Sequence, residues 1–364
     1  ADGDGLDYLS DPDDRDPDGT RLDLGCYPYY HTPLSIVEIS PSNLSLEADS
    51  YSAYSDWVRI ANQSESPVNL KGHYLSDNTE RPYKYLVSQD LYVGAHDTLR
   101  LWTDGRDDLE NLQLPFKLSG GGEALLISNP TGILLDQKVF PRVPMNYVYL
   151  KDEQSATWVD STWPTGEEAL TYDSLSRDPL FSRPGGTESF PLSVSLSSSV
   201  SDDSIFYSLD GADPRQGTLF LFSLEIQEPA TLRALISKQK HVPGYIHAAA
   251  YFADGSYTLP VLSLSTNEEN LYGTTGIYTN YSSSGPGWER PASFSYYGSD
   301  QQFSAITGIR IQGGNSVFMA KKAFRLHFRG GYGTSALEAS PFDGGPPSFK
   351  NLVLRSGYDD DITT

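Results

Sequence analysis

The acidic side chains at the start of the chain are the densest group of potential metal ligands in the sequence. Residues 1–26 contain two arginines and nine aspartates, which are Asp2, Asp4, Asp7, Asp11, Asp13, Asp14, Asp16, Asp18 and Asp23. So many carboxylates repel one another unless a cation neutralises them. Calcium is suited to this task, because it takes about six to eight oxygen ligands from alternating loop positions, with a glycine at the sharp turn.

The spacing of these aspartates matches two calcium-binding loops in this segment. Asp14, Asp16 and Asp18 supply ligand positions 1, 3 and 5 of one loop, and Gly19 supplies the turn. In the other loop Asp2 and Asp4 take positions 3 and 5, Leu6 takes position 7 and Asp11 takes position 12. The predicted ligands are therefore Asp2, Asp4, Leu6, Asp11, Asp14, Asp16 and Asp18.

The same segment resembles thrombospondin type 3 calcium repeats over about 25 residues, and this resemblance implies a structural Ca²⁺ that stiffens a spacer. Tyr8 departs from the repeat, because it stands where an acidic residue is usual. The second loop also lacks a clear closing carboxylate near Gly25. A solvated acidic tail is the alternative interpretation.

Charge and composition exclude several classes of protein. The 364 residues contain 26 Lys and Arg against 48 Asp and Glu, a net charge of −22. This balance argues against binding to nucleic acid phosphates or to anionic membranes. No apolar run approaches the roughly 20 residues of a membrane-spanning helix. Cys26 is the single cysteine and excludes an internal disulfide. The chain is expected to be a mature product or a fragment.

Beyond residue 32 the pattern is that of short strands separated by turns. Apolar residues alternate at 35–39, 56–60, 98–102, 205–209 and 232–236, and apolar runs occur at 124–127 and 132–135. Turn residues cluster between them, and no stretch has convincing helical periodicity. We predict an all-β protein with tandem immunoglobulin-like sandwiches behind a calcium-binding leader, and a C-terminal partial domain that is mostly β. The predicted parts are a leader at 1–32, a sandwich at 33–160, a linker at 161–188, a second sandwich at 189–256 and a partial domain at 257–364.

The first sandwich resembles the lamin tail domain over residues 36–141. The resemblance is carried by IVEI at 36–39, DWVRIAN at 56–62, PVNLKGHYLSD at 67–77 and FKLSGGGE at 116–123. It implies an immunoglobulin-like sandwich without a catalytic set. Trp57, Leu70 and Leu75 are the predicted core anchors. Asn62 and Asp77 are expected to fix turns by hydrogen bonds to the backbone.

Two polar features of the sequence allow alternatives. Glu38 and Asp56 form a candidate carboxylate pair, although charge at the surface of an edge strand is the preferred interpretation. Glycosylation sequons occur at Asn43, Asn62 and Asn280, and these matter only if the host glycosylates.

The second sandwich resembles the C-terminal module of chitobiase-type enzymes over residues 190–252. FYSLDGADP at 206–214, ATLRA at 230–234 and AYF at 250–252 carry the resemblance. It implies an accessory module outside the catalytic part. Tyr207 is a candidate for contact with a glycan, but we predict that it packs in the core.

Residues 258–358 resemble the first part of a CotH-type kinase domain. The motifs are LPVLSL at 259–264, GIY at 276–278, ERPAS at 289–293, GIRIQGG at 308–314, KKAFRL at 321–326 and LVLRSG at 352–357. The resemblance implies a phosphate-covering loop at Gly313 and Gly314 and a phosphate-binding lysine at Lys321 or Lys322. For these lysines, however, a solvated position at the start of a strand is the preferred interpretation. The acidic Mg²⁺ ligands would follow Thr364, so we predict no catalytic residues and no enzyme activity for this chain alone.

These observations predict an extracellular or surface-exposed bacterial protein with a structural or adhesive role. We expect stabilisation by Ca²⁺ and self-association into a filament or surface array, without nucleic acid binding or membrane insertion. The alternative is the non-catalytic N-terminal half of a secreted CotH-type protein kinase. A third hypothesis, a glycan-binding module set of a larger hydrolase, rests on module association alone.

Overall fold

The computed structural model describes residues 33–151, 158–162, 178–199, 203–237, 244–255, 257, 259–342 and 344–357. These residues contain 25 β-strands and a single α-helix, which confirms the predicted all-β class. No helix among them is long and apolar enough to cross a bilayer. They form two compact units, the first made of 33–39, 56–118 and 123–140 and the second of 40–55, 119–122 and the described residues from 141 onward.

The strands of the first unit build three groups of hydrogen-bonded strands. The strands are β1 (Leu34–Ser40), β2 (Trp57–Asn62), β3 (Val68–Asn69), β4 (Tyr74–Ser76), β5 (Tyr85–Leu86), β6 (Tyr92–Val93), β7 (Thr98–Trp102), β8 (Glu123–Ser128) and β9 (Leu134–Phe140). Neighbouring strands follow the orders β1-β2-β7 and β5-β4-β8-β9, and β3 pairs with β6. Fully buried aliphatic residues on β1, β2, β4 and β8 fill the core.

The predicted anchors of this core are confirmed. Trp57 has no exposed surface, and Leu70 and Leu75 are each 1% exposed. The Asn62 amide donates hydrogen bonds to the carbonyls of Ser66 and Gly94 at 2.8 and 2.9 Å, so its turn-fixing role is also confirmed.

Two polar predictions for this unit were wrong. Glu38 is buried instead of lying at the surface, because it accepts a hydrogen bond from Trp57 Nε1 at 2.6 Å and pairs with Arg59 at 3.5 Å. Asp77 binds Lys84 Nζ at 2.6 Å with both of its carboxylate oxygens.

The second unit holds the remaining elements. The strands are β10 (Tyr147–Lys151), β11 (Trp158–Thr162), β12 (Leu180–Phe181), β13 (Gly186–Glu188), β14 (Leu192–Val194), β15 (Leu196–Ser197), β16 (Ser204–Ser208), β17 (Thr218–Leu219), β18 (Leu224–Ile226), β19 (Ala230–Ser237), β20 (His247–Ala253), β21 (Val261–Ser265), β22 (Arg290–Tyr297), β23 (Gln302–Gln312), β24 (Ala323–His327) and β25 (Asn351–Leu354). The helix α1 spans Glu268–Tyr272.

Two five-stranded sheets dominate this unit. We call the first the middle sheet, with the order β13-β20-β19-β16-β17, and the second the C-terminal sheet, with the order β21-β22-β23-β24-β25. The middle sheet buries Leu232, Ala234 and Ile236 on one face of β19, as their alternation predicts. The C-terminal sheet has a separate core that includes Phe294 and Leu326. β10–β11, β12–β15 and β14–β18 form additional antiparallel pairs.

Candidate functional site

The middle sheet and the C-terminal sheet meet in a polar contact within the second unit. β13 pairs only with Tyr251–Ala253 of β20, so the amides before that point need other acceptors. The Ala248 N–H donates to Ser293 Oγ and the Ala250 N–H donates to Tyr297 Oη, both at 3.0 Å and both buried. Side-chain hydroxyls of β22 therefore complete the hydrogen bonding of β20.

Small residues allow this close approach. Residues 248–250 are three consecutive alanines with at most 9% exposure, so no large side chain holds β22 away. Gly185 has φ of +99°, and a Cβ atom placed on it would lie 2.5 Å from Tyr297 Oη. Its carbonyl accepts a hydrogen bond from Gln302 Nε2 at 3.0 Å. Only glycine fits this position without displacing the tyrosine.

A second polar connection links the 3₁₀ turn Pro214–Gln216 with the residue that precedes α1. Asn267 Nδ2 donates to Asp213 Oδ2 at 2.8 Å, and Asn267 Oδ1 accepts from Arg233 Nη2. Asp213 also accepts hydrogen bonds from Arg215. Burial disfavours the charged form of Asp213, but the hydrogen bonds and charge of Arg215 outweigh burial and lower its pKa. The carboxylate therefore stays ionised and ties the two parts together.

Within the C-terminal sheet, a buried carboxylate organises a group of arginines. Glu289 has a fully buried side chain that accepts from Arg329 Nε at 2.8 Å and lies 3.3 Å from Arg310 Nε. Gly308 on β23 faces this carboxylate, because a Cβ atom there would lie 2.2 Å from Glu289 Oε1. The two guanidinium groups supply the compensation that a buried carboxylate requires.

Next to this group lies a basic cavity of about 230 Å³ lined by Arg310, Arg325 and Gly313, among others. Arg310 and Arg325 are directly opposite each other on β23 and β24, where like charges destabilise a strand pair. Arg310 Nε donates to His327 Nε2 at 2.9 Å. Burial, together with the surrounding arginines, lowers the pKa of His327 to about 3, so its imidazole is neutral at physiological pH.

The predicted calcium ligands lie outside the described residues. These are Asp2, Asp4, Leu6, Asp11, Asp14, Asp16 and Asp18, and Cys26 lies outside as well. Within the described ranges, no cluster of three or more His, Cys, Asp or Glu side chains could hold a metal ion. The calcium assignment and the predicted domain boundaries remain predictions.

The structure separates the candidate phosphate-binding residues. Gly313 has φ of +137° and lines the basic cavity, whereas Gly314 precedes a 3₁₀ turn at Asn315–Phe318. Lys322 is 8% exposed, so its expected solvation is wrong. Its Nζ donates to the carbonyls of Val317 and Met319 at 2.6 and 2.9 Å and lies 4.5 Å from the ring centre of Tyr281. These contacts give Lys322 a structural task, while Lys321 is exposed.

Two of the predicted modules match known families. Residues 30–141 match the family model of the Lamin Tail Domain. Residues 183–247 match the model of the Chitobiase/beta-hexosaminidase C-terminal domain. Both families are immunoglobulin-like sandwiches, in agreement with the sheets described above. A search of curated proteins found no matching relative. The thrombospondin-like and CotH-like resemblances are not among the family matches and stay predictions.

Two of the three sequon asparagines lie within residues 30–141, and their side-chain amides donate hydrogen bonds to backbone carbonyls. The Asn43 amide donates to the carbonyls of Glu47 and Ser55, both at 2.7 Å, and Asn43 is 3% exposed. Asn62 is 1% exposed, and its amide is used as described above. Asn280 is half-buried and donates to the carbonyls of Thr274 and Gly276, both at 2.9 Å.

Sequence reasoning missed the residues that join the two sheets. Arg233 alternates with apolar neighbours, a pattern that predicts a solvent-facing side chain on a half-buried strand. It is instead 1% exposed. Asn267 follows Thr266 and precedes two glutamates, and this pattern is typical of the start of a helix. The pattern could have predicted Asn267 as the N-cap of α1. Tyr207, the candidate for glycan contact, is half-buried and lies edge-on to Phe220 at 6.4 Å.

Proposed function

We propose that the chain is an extracellular structural or adhesive protein of bacterial origin, built from β-sandwich modules that follow a Ca²⁺-stiffened leader. The observation that carries this proposal is the hydroxyl-capped contact between β20 and β22. Domains connected by flexible linkers usually move relative to each other. A sheet whose buried amides are satisfied by a neighbouring module resists such motion, because separation would expose unpaired backbone groups.

The charge distribution supports the role of the leader. Nine aspartates in the first 26 residues make up a large share of the net charge of −22. Divalent ions would offset their mutual repulsion and hold the segment extended. Millimolar calcium outside cells suits loops with incomplete ligand sets, which favours an extracellular location.

An open strand edge supports self-association. Within the described part of the chain, β25 pairs with β24 on one side only, and Val353 in the middle of it is 46% exposed. A strand from a second copy could add to this edge by main-chain hydrogen bonds. Repeated head-to-tail addition of this kind produces open filaments.

The test compares two triple variants of equal charge. D14N/D16N/D18N removes predicted ligands, whereas D7N/D13N/D23N removes aspartates outside the ligand set. Calcium titration calorimetry should show binding to the parent and the second variant and weakened binding to the first. Negative-stain microscopy should show assemblies with Ca²⁺ that disappear with a chelator. Monomers under both conditions would contradict the assembly, and equal calcium binding by both variants would contradict the ligand assignment.

The kinase-half hypothesis has one supporting observation, which is the basic cavity beside Gly313. Arg325 lines that cavity and makes no ion pair with another described residue, which is compatible with a phosphate group. Against this hypothesis, Lys322 is already engaged by two carbonyls. Titration with Mg-ATP separates the two functions. Binding that is lost in Arg325→Gln and kept in Arg355→Gln would favour the kinase half, and absence of binding would favour the structural role.

A further inference from the structure

Exposed aromatic side chains form a surface beside the basic cavity of the C-terminal sheet. Tyr272, Tyr281 and Phe318 are 60%, 37% and 65% exposed. Tyr281 lies edge-on to Phe318, with ring centres 5.5 Å apart, and Tyr272 contacts the half-buried Tyr278 at 5.3 Å. We call these four residues the aromatic surface. Large apolar side chains that stay exposed in a group mark a site of interaction.

Lys322 joins the two aromatic pairs. Its Nζ lies 5.4 Å from the ring centre of Tyr278 and 4.5 Å from that of Tyr281. The same ammonium donates to two backbone carbonyls, so a side chain with little freedom holds the rings. A surface that is fixed before a ligand arrives loses little conformational entropy on binding.

The aromatic surface adjoins the basic cavity through two segments of the chain. Asn280 lines the cavity and directly precedes Tyr281, and Gly313 lines it five residues before Phe318. Arg325 also lines the cavity, is exposed, and makes no ion pair or hydrogen bond with another described residue. Its guanidinium is therefore both reachable from solvent and available to an incoming anion.

The charge around Arg325 favours such an anion. Among the described residues, the charges that act on His327 and its neighbour Arg310 are three guanidinium groups and the single carboxylate of Glu289. That carboxylate is already bound to two of the three, those of Arg310 and Arg329. The local excess is positive, whereas the net charge of the whole chain is −22. The rest of the chain therefore opposes non-specific binding of anions.

An acidic sugar matches both features. One face of a pyranose ring presents C–H groups with a slight positive charge, which pack on the negative face of an aromatic ring. A carboxylate or sulfate on the same sugar accepts hydrogen bonds from a guanidinium. One available guanidinium suits a sparsely charged chain better than the dense phosphates of a nucleic acid, which require several cations.

We propose that the aromatic surface and the basic cavity together form a binding site for an acidic oligosaccharide. Arg325 binds the anionic group, and the exposed rings of Tyr272 and Phe318 pack against the sugar rings. Ser283 and Ser284, on the wall of the cavity, supply hydroxyls for the sugar. The site goes beyond the proposed structural role, because neither Ca²⁺ nor assembly takes part in it.

The first experiment is calorimetry on the full chain with a chelator present, so that Ca²⁺ cannot bridge a glycan to the acidic leader. The probes are tetragalacturonate, its fully methyl-esterified form and a sulfated carrageenan tetrasaccharide. Tetragalacturonate should bind in a saturable manner, and the ester at least roughly tenfold more weakly, because it keeps the sugar rings but lacks the charge. Tighter binding of the uronate identifies a carboxylate as the preferred anion, and tighter binding of the carrageenan identifies a sulfate.

These probes contain neither phosphate nor a nucleobase, so their binding is distinct from that of Mg-ATP. Equal binding of the acid and its ester would overturn the proposal, as would no binding of either acidic probe.

The second experiment assigns the charge recognition to Arg325. Arg325→Gln should weaken tetragalacturonate binding roughly tenfold, since it removes a charge-assisted hydrogen bond. It also removes a like charge opposite Arg310, so it should not impair folding. Arg355→Gln is the control, because Arg355 is exposed and does not line the cavity. Unchanged binding in Arg325→Gln, or an equal loss in both variants, would refute this assignment.

The third experiment tests the aromatic surface. Phe318→Ala should weaken tetragalacturonate binding roughly fivefold, because a sugar ring loses its aromatic contact. Phe342→Ala is the matched control, since Phe342 is 59% exposed and lies edge-on to one other ring, that of Phe349, at 6.1 Å. Equal binding by these two variants would show that the exposed rings take no part in the site.

Discussion

The neutral imidazole of His327 makes the stability of the second unit depend on pH in a calculable way. Burial and the charges of Arg310, Arg329 and Arg325 lower its pKa to about 3, from an ordinary value of 6.5. In the unfolded chain the imidazole takes up a proton below about pH 6.5, whereas the folded chain does not. The stabilisation is therefore complete above pH 6.5 and is lost as the pH falls from 6.5 towards 3.

The size of this effect follows from the two pKa values. At pH 5, about 1.5 units below the pKa of the unfolded imidazole, protonation stabilises the unfolded state by about 2 kcal/mol, at about 1.36 kcal/mol per unit. The folded state gains no comparable stabilisation, because its imidazole stays neutral at this pH. His327→Gln retains an acceptor for Arg310 Nε but does not titrate. We expect the parent to lose about 2 kcal/mol more of its free energy of unfolding than this variant between pH 7.5 and pH 5.

Urea denaturation at the two pH values measures the difference, with the pH 7.5 values of both proteins as internal controls for any effect of the substitution itself. An NMR titration of the imidazole gives an independent result, since the His327 ring should stay neutral down to about pH 4. If parent and variant lose the same free energy on acidification, the charge environment described for His327 is incorrect.

Three further substitutions test the polar contacts of the second unit by urea denaturation. Glu289→Gln should lower the free energy of unfolding by about 3 kcal/mol, because it removes the carboxylate charge that two partly buried arginines contact, and a loss below about 1 kcal/mol would contradict the pairing. Tyr297→Phe removes only the hydroxyl that accepts from Ala250 N–H and should cost about 1–2 kcal/mol, whereas Tyr257→Phe, at a tyrosine with 61% exposure, should be nearly neutral. Lys322→Met preserves the length of the side chain but leaves two carbonyls unpaired, so we expect a loss of about 2 kcal/mol, and unchanged stability would refute its structural task.

The strand pattern predicted much of the fold because most strands have one buried face. Residues 98–102 were predicted as alternating and form β7 with those same limits. The prediction of a strand at 132–135 was partly wrong, since Gly132 has φ of +87° in a turn and β9 begins at Leu134. β22 is not predicted from the sequence. Its second residue, Pro291, has no backbone N–H to donate, which argues against a strand with neighbours on both sides, yet β22 lies between β21 and β23.

The polar sites were less predictable for a physical reason. Arg233 and Glu289 are buried by contacts between elements far apart in sequence, which local alternation does not encode. Glu38 shows the same limit, because its position on β1 suggested surface charge, whereas the indole of Trp57 and the guanidinium of Arg59 compensate its burial. Asn62, in contrast, was predictable, because its side chain acts mainly on the turn that follows it.

The hydroxyl groups that cap β20 make the two sheets chemically dependent on each other. A fragment that ended before β22 would leave the amides of Ala248 and Ala250 bare on a strand flanked by small side chains. Such an unpaired strand edge is a template for pairing with extended peptides, including other copies of the same fragment. Cleavage between the two sheets would therefore expose an aggregation-prone strand edge, which β22 covers in the intact chain.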